Sequence, residues 1–475
     1  MNKNRYHLHE ERLASTDDQG HRVYIHPEDV TGFWRTQRTK VYWFLILIYL
    51  VLPWINWDNK QIVLLNIPLR EFTFFGTTFY AHDAPLILLV LLGFVFTMGF
   101  ITSIWGRVWC GWACPQTVFI DTLFLKVEKL IEGKSRARQK LDSSPISFEK
   151  VYKKSLKWLA FTFISLVIAH SFLGYFVGAR NLLQITLNGP SSHPSLFILS
   201  MIITGIILFD FGWFREQFCI IACPYGRFQS VMMDENSLVV AYDSARGEPR
   251  RGLNTDPSNP KEGDCINCYH CVKACPTGID IRRGTQLECI ACTNCIDACD
   301  TIMTKINKPK GLIRYDTENN LEGKESSRFG IRSGIYLFAL ITIFSLLAYN
   351  ISKSGQLKIT LIRGTGTPYR ERILKNGQRE ITNLYKMRLD YKEEKALKID
   401  FRLKKKENRS QVELISPARP FQLHSGRSKT SLIHFRFSPH FLKGGNRKIE
   451  LQFYDIQKPN QIIITKEVNL VGPLH

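Results

Sequence analysis

The chain has no cysteine before Cys110 and none in the 176 residues after Cys299. A secreted disulfide scaffold spreads its cysteines through small domains, so the confinement of all 12 to one stretch excludes that class. A complete phosphate-binding loop is also missing. Gly133-Lys134-Ser135 ends like one but lacks the earlier glycine, and Gly364-Thr365-Gly366 lacks the third glycine of a dinucleotide fingerprint. No nucleotide site is therefore expected, and any reducing equivalents must come from a separate, unidentified electron donor. Acidic residues are scarce: 42 Asp and Glu stand against 63 Lys and Arg, for a formal net charge of +21. Such a balance suits nucleic acid or an anionic membrane surface. Residues 353–475 hold 26 Lys/Arg against 11 Asp/Glu, a net of +15, without a nucleic-acid motif. Nucleic acid is thus not expected as a partner.

What the sequence does have is apolar length. A membrane crossing of about 30 Å takes roughly 20 apolar residues. Five runs qualify, at about 41–57, 85–105, 158–178, 195–214 and 333–351; the first is short and contains Pro53. No small-residue cleavage site follows the first run, which reads as an uncleaved anchor. Charge in the connecting segments then sets orientation. Arg35, Arg38 and Lys40 precede the first run, segment 106–157 carries eleven Lys/Arg, and segment 215–331 carries fifteen. The opposite loops carry only Lys60 and Arg70, and Arg180 alone. This alternation places the N-terminus, 106–157 and 215–331 in the cytoplasm and the C-terminal region outside. All the cysteines then lie in the reducing compartment, free to bind metal.

The strongest motif is CINCYHCVKACPTGIDIRRGTQLECIACTNCIDACD, which contains C-x-x-C-x-x-C-x-x-x-C twice. In two-cluster ferredoxins the fourth cysteine of each run ligates the other cluster. That rule groups Cys265, Cys268, Cys271 and Cys299 around one [4Fe-4S] cluster and Cys289, Cys292, Cys295 and Cys275 around a second. Zinc ribbons instead use paired C-x-x-C knuckles, which do not reproduce this spacing. Cys275 is followed by proline but Cys299 by Asp300, so the second turn departs from the first.

Four cysteines remain. WCGWACPQ holds Cys110 and Cys114, and FCIIACPYG holds Cys219 and Cys223, each pair at the end of an apolar run. If the helix continues, i and i+4 share a face, and Pro115 or Pro224 then favours a bend or stop. The two halves read as a parallel internal repeat that would bring both pairs to one depth. Four soft thiols suit Cu(I), but a further iron–sulfur cluster, a redox-active disulfide or purely structural thiols also fit. His170 and Asp210 lie within apolar runs, and His82 and His193 flank them; His170 with either flanking histidine could ligate haem or contact quinone, and helix–helix hydrogen bonding is the plainer reading.

Beyond Ile351 the apolar period changes to two. Seven alternating segments, from LKITLIRG to QIIITKEVNL, predict an immunoglobulin-like β-sandwich without an inter-sheet disulfide. The expected architecture is a polytopic α-helical membrane protein with five spans, an inserted two-cluster ferredoxin-like module and this C-terminal sandwich. Its parts are a cytoplasmic N-terminal segment (1–40), a four-span membrane domain (41–214), the cluster module (215–331), a fifth transmembrane helix (332–352) and an outward domain (353–475). The sandwich would dock an acidic partner or membrane lipid through its basic surface, and solvated charge alone is an equally good reading of that surface.

WCGWACPQ, FCIIACPYGRFQS, the cysteine-rich segment and the trailing GLIRY together resemble the CcoG/RdxA/FixG family of cytochrome c oxidase accessory proteins. The membrane part is also similar to NapH-type quinol-oxidising subunits. The first resemblance implies a multi-pass protein of the bacterial inner membrane, with its outward domain in the periplasm. It further implies reduction of Cu(II) to Cu(I) for assembly of cbb(3)-type oxidase, with oxidase subunits or copper chaperones as partners. Carried onto this chain, Cys265 to Cys299 hold the clusters, and Cys110, Cys114, Cys219 and Cys223 handle copper. The alternatives are a quinol-linked electron-transfer subunit and a non-catalytic assembly factor.

Overall fold

The structure is a computed structural model. It describes residues 19, 21–57, 60–68, 71–75, 77–80, 84–252, 262–327, 329–353, 357–364, 367–373, 379–391, 397–416, 419–423, 428–442 and 444–473. The chain divides into two compact units, Met1–Leu347 and Ala348–His475.

Among the described residues four helices are long and apolar enough to cross a membrane: Leu86–Trp105, Phe148–Val177, Pro194–Phe214 and Ile331–Asn350. The third expected run lies inside a longer helix. That helix starts at Phe148, where the Ser147 side chain accepts a hydrogen bond from the Lys150 backbone N–H. The first expected run is helical but shorter than a span. Its helix covers Phe33–Val51 and gives way at Leu52–Trp54 to a tight turn containing Pro53. The first two turns carry Arg35 and Arg38, whose groups meet Asp297, Asp121 and Asn294. Beyond them, Phe44 and Leu47 are exposed apolar residues.

A buried ionic knot joins the segments on the sequence-distant sides of these helices. Glu128, 1% exposed, receives Arg138 at 3.1 Å, Arg215 at 3.0 Å and Lys157 at 3.5 Å. Glu132 adds Lys157 at 2.8 Å and Lys154 at 3.0 Å. Burial alone would raise the pKa of Glu128, but Arg215, Lys157 and Arg138 outweigh it and hold the carboxyl at about 2.

The cysteine-rich module begins and ends in one antiparallel pair, Val239–Tyr242 with Ile313–Asp316. Between these strands are the short helix His270–Lys273 and the longer helix Asn294–Lys305. Val240, Ile279, Ile281, Ile296, Met303 and Leu312 fill its core.

In the second unit all seven alternating segments form strands, and two short strands, Arg370–Ile373 and Phe421–Leu423, join them. One sheet pairs Arg379–Tyr391 with Ser428–Phe437 and Leu357–Arg363, all antiparallel. The other pairs Asn446–Asp455 with Lys458–Val471 and Leu397–Leu403. Phe401, Phe421, Phe435 and Phe453 are fully buried between the sheets. The inward positions of both sheets alternate with the outward ones and are mostly apolar, with Asn383 and Ser431 as buried polar exceptions, which is what the period-two pattern encodes.

The knot makes a testable statement about acid. A carboxyl held at about 2, below its usual 4.5, stabilises the fold fully above 4.5 and loses that contribution as pH falls toward 2. Glu128→Gln is expected to cost about 3–5 kcal/mol at neutral pH, because Arg138 and Arg215 lose their carboxylate in a buried site and Lys157 keeps only Glu132. Thermal melts of the detergent-solubilised protein across this pH window should show the acid-dependent step in the parent and not in the variant.

Candidate functional site

Eight cysteines line two neighbouring cavities of about 350 Å³ each. Cys275, Cys289, Cys292 and Cys295 border one, and Cys265, Cys268, Cys271 and Cys299 border the other. Cys271 reaches both. The structure thus brings together the two sets of four that the spacing groups, with the last cysteine of each run crossing to the other set.

The loops achieve this with the same backbone course. Asn267 and Tyr269 in the first loop, and Ala291 and Thr293 in the second, have φ of 53°, 60°, 50° and 64°. A side chain in this left-handed region costs about 1–2 kcal/mol, so each loop is bent against its own preference. The remaining walls are largely apolar, with Ile279, Ile281 and Val240 on one cavity and Met303, Leu312 and Ile313 on the other. Burial pushes Cys271 and Cys275 up to about 12 and Cys289 up to about 11. Such thiols become thiolates only when a metal offsets the loss of solvation. Four sulfur donors around an apolar-walled cavity fit an iron–sulfur cluster.

The two C-x-x-x-C-P motifs share one course, and it differs from a continuing helix. The Leu86–Trp105 helix breaks at Gly106 (φ 56°), and the Pro194–Phe214 helix breaks at Arg215 (φ 52°). One short helical turn follows in each and carries Cys110 or Cys219. Cys114 and Cys223 are extended, and their N–H groups donate to the carbonyls five residues back, Trp109 at 2.9 Å and Phe218 at 2.8 Å. The prolines therefore begin the next helix rather than end the previous one, which suits their fixed φ and missing N–H. The expectation that each pair shares a helical face fails because each short turn ends at Trp112 or Ala222, between the two cysteines, and leaves the second one extended.

The motifs meet through side chains. Cys110 Sγ donates to Gln229 Oε1 at 3.2 Å, and Gln229 is fully buried in the helix after the second motif. The Thr102 and Tyr225 hydroxyls lie 3.2 Å apart. Burial, with Cys114 and Cys223 close by, pushes the Cys110 thiol to about 12; burial also raises Cys114 and Cys219. Among the described residues no three His, Cys, Asp or Glu side chains converge tightly enough to hold one metal ion.

The motifs also press on the cysteine-rich loops. Gly111 lies so close to the second loop that a Cβ there would collide with the carbonyls of Ile290 and Ala291. Arg107 donates to the carbonyls of Leu287, Cys289 (3.1 Å) and Gly226 (2.8 Å), joining the second loop to the second motif. Trp112 Nε1 donates to the Tyr315 hydroxyl at 3.1 Å, which donates to the Ala291 carbonyl at 3.2 Å. From the other side Arg38, 1% exposed, donates to the Cys292 carbonyl and, at 2.8 Å, to Asn294 Oδ1.

Arg38, Arg107 and Gln229 were not singled out by the motifs. Only their positions beside them signal their role: Arg107 within WGRVWC, and Gln229 within CPYGRFQS. Asp210 accepts from Gln116 Nε2 at 3.0 Å. His170 sits half-buried in the Phe148–Val177 helix, and His193 is exposed just before Pro194. His82 lies outside the described residues.

Comparison with known proteins follows the same divisions. A family model for a 4Fe-4S dicluster domain matches residues 214–318. One for a 4Fe-4S binding domain matches 86–136, which includes Cys110 and Cys114. One for the Ig-like fold at the C-terminus of FixG matches 347–473. Protein RdxB of Cereibacter sphaeroides is 39% identical over 347 residues, covering 70% of this chain and 71% of that protein. Protein RdxA of the same organism is 37% identical over 368 residues, covering 72% and 75%. Nitrogen fixation protein FixG of Rhizobium meliloti is 40% identical over 304 residues, covering 62% and 57%.

The Gly111 contact is open to direct test. Gly111→Ala is expected to cost about 1–3 kcal/mol, because backbone rather than a movable side chain blocks the new methyl. Gly93→Ala, whose Cβ would meet Ile343 at an ordinary 3.6 Å, should melt like the parent. Equal melting temperatures for all three proteins would contradict the contact.

Proposed function

From the premise that the chain belongs to the FixG/RdxA family of iron–sulfur redox proteins, we propose that it reduces Cu(II) to Cu(I) at the bacterial inner membrane for assembly of a cbb(3)-type oxidase. In this reading Cys265, Cys268, Cys271 and Cys299 hold one [4Fe-4S] cluster, and Cys275, Cys289, Cys292 and Cys295 hold the other. When bound, these groups supply electrons one at a time. Copper is the substrate, and Cys110, Cys114, Cys219 and Cys223 receive it.

The observation that carries the reading is the contact of Gly111, between Cys110 and Cys114, with the backbone between Cys289 and Cys292. It sets soft donors directly against the loop that would hold a one-electron centre. Thiolates prefer the reduced ion, so binding by them draws Cu(II) toward Cu(I). Arg107 ties the second motif to the same loop, so both thiol pairs keep their place relative to it. The cysteine-rich module faces the cytoplasm in this scheme, and the basic sandwich faces outward, where it docks oxidase subunits or copper chaperones.

The test is anaerobic stopped-flow on the purified protein. The reduced protein is mixed with Cu(II), and reoxidation is followed while a Cu(I)-specific chelator reports product. Matching reoxidation and Cu(I) formation should be lost in a variant with Cys110, Cys114, Cys219 and Cys223 all changed to Ser. Equal rates in both proteins would mean nonspecific reduction, and the copper reading would fall.

A further inference from the structure

Arg38, Arg138, Arg215 and Arg282 are buried, and each meets a carboxylate. Asp121 serves Arg38, Glu128 serves Arg138 and Arg215, and Asp280 holds Arg282 at 2.7 Å. Arg107 is different. It is 9% exposed, and its guanidinium donates to the carbonyls of Leu287, Cys289 and Gly226. Among the described residues no Asp or Glu pairs with it. Carbonyl oxygens satisfy its N–H groups but bring no opposite charge. A cation buried without one is costly, so the fold calls for negative charge from another source.

The second cysteine set lies where that charge is needed. Arg107 binds the carbonyl of Cys289 itself, at 3.1 Å. Burial pushes the Cys289 thiol up, and the Arg107 charge works against that rise more strongly than Glu288 adds to it. The walls of this cavity carry no Lys, Arg, Asp or Glu among the described residues. Arg38 binds the Cys292 carbonyl of the same loop, but Asp121, shared with Arg35, offsets part of its charge. The first cavity does have an arginine on its wall, Arg282, and there Asp280 cancels the charge through two hydrogen bonds, at 2.8 and 2.7 Å. The uncompensated cation therefore belongs to the second set and has no counterpart at the first.

We propose that Arg107 is the counter-ion of the group held by Cys275, Cys289, Cys292 and Cys295, and that its charge raises the reduction potential of that group without changing that of the other. Four thiolates make such a group negative in both redox states, and reduction adds one electron to it. A fixed cation alongside favours the reduced state. The electron is thereby biased toward the end of the module that touches the C-x-x-x-C-P motifs. Arg107 acts through charge and through the Cys289 loop, as a positioning residue. The inference rests on the assignment of the two cysteine sets to iron–sulfur clusters and is independent of copper.

The test is a redox titration of the full-length, iron-loaded protein in detergent, followed by electron paramagnetic resonance. Two one-electron waves are expected in the parent. Cys268→Ser and Cys295→Ser, made singly, tell which wave belongs to which set. In Arg107→Gln the wave of the second set should move down by about tenfold in its reduced-to-oxidised ratio, which is about 59 mV for one electron, and the other should stay. Arg107→Lys keeps the charge and should restore most of the shift. At equal iron content, waves that both stay, waves that move together, or a shift confined to the first set each overturn the proposal. If Arg107→Gln loses iron, Arg107→Lys decides: a midpoint like the parent's supports the proposal, and a tenfold fall with the charge retained overturns it. Iron content and the spectrum of the dithionite-reduced parent report separately on the cluster assignment. A parent without two cluster signals overturns that assignment and this inference together, whereas an unmoved wave overturns this inference alone.

Discussion

Close approach of backbone to backbone governs the first unit. Gly111 has no Cβ because the carbonyls of Ile290 and Ala291 occupy the space one would need. Around that point, Arg107, Trp112 with Tyr315, and Arg38 each bind a carbonyl of the same loop. A loop that must cradle a metal group cannot use its carbonyls in a sheet or helix ladder. They are satisfied instead by side chains, Arg38 and Arg107 from the membrane-proximal segments and Tyr315, held by Trp112, from the module's own strand, and that requirement brings the two parts of this unit into register.

Much of this was legible in the sequence, for reasons that differ by element. The seven period-two segments became strands because a two-sheet sandwich repeats the same inside–outside choice at every second residue. The two cysteine sets were legible because a fixed 2-2-3 spacing on a short loop leaves few ways to converge four sulfurs. Apolar length marked the spans, since a long apolar helix has few other uses. The course of the C-x-x-x-C-P motifs was not legible. Whether a helix continues past Trp105 depends on the left-handed turns at Gly106 and Arg215, and a non-glycine left-handed residue such as Arg215 is set by its surroundings.

Arg38 and Arg107 show a second limit. Counted along the chain, both are positive charges flanking apolar runs, and charge counting gives them an orienting role. In the structure each guanidinium is buried against loop carbonyls. A guanidinium has five donors in a rigid fork, so one side chain can serve several carbonyls that no secondary structure reaches. Sequence spacing cannot reveal that, because the partners lie more than 150 positions away.

The left-handed residues Asn267, Tyr269, Ala291 and Thr293 carry a further implication. Four non-glycine residues held in this region, around buried thiols that resist ionisation, form a shape the polypeptide does not favour by itself. A cluster held by those sulfurs would offset the cost of that shape, so filling and folding of the module are coupled, and the contacts through Gly111 and Arg107 extend the coupling to the helices packed on it.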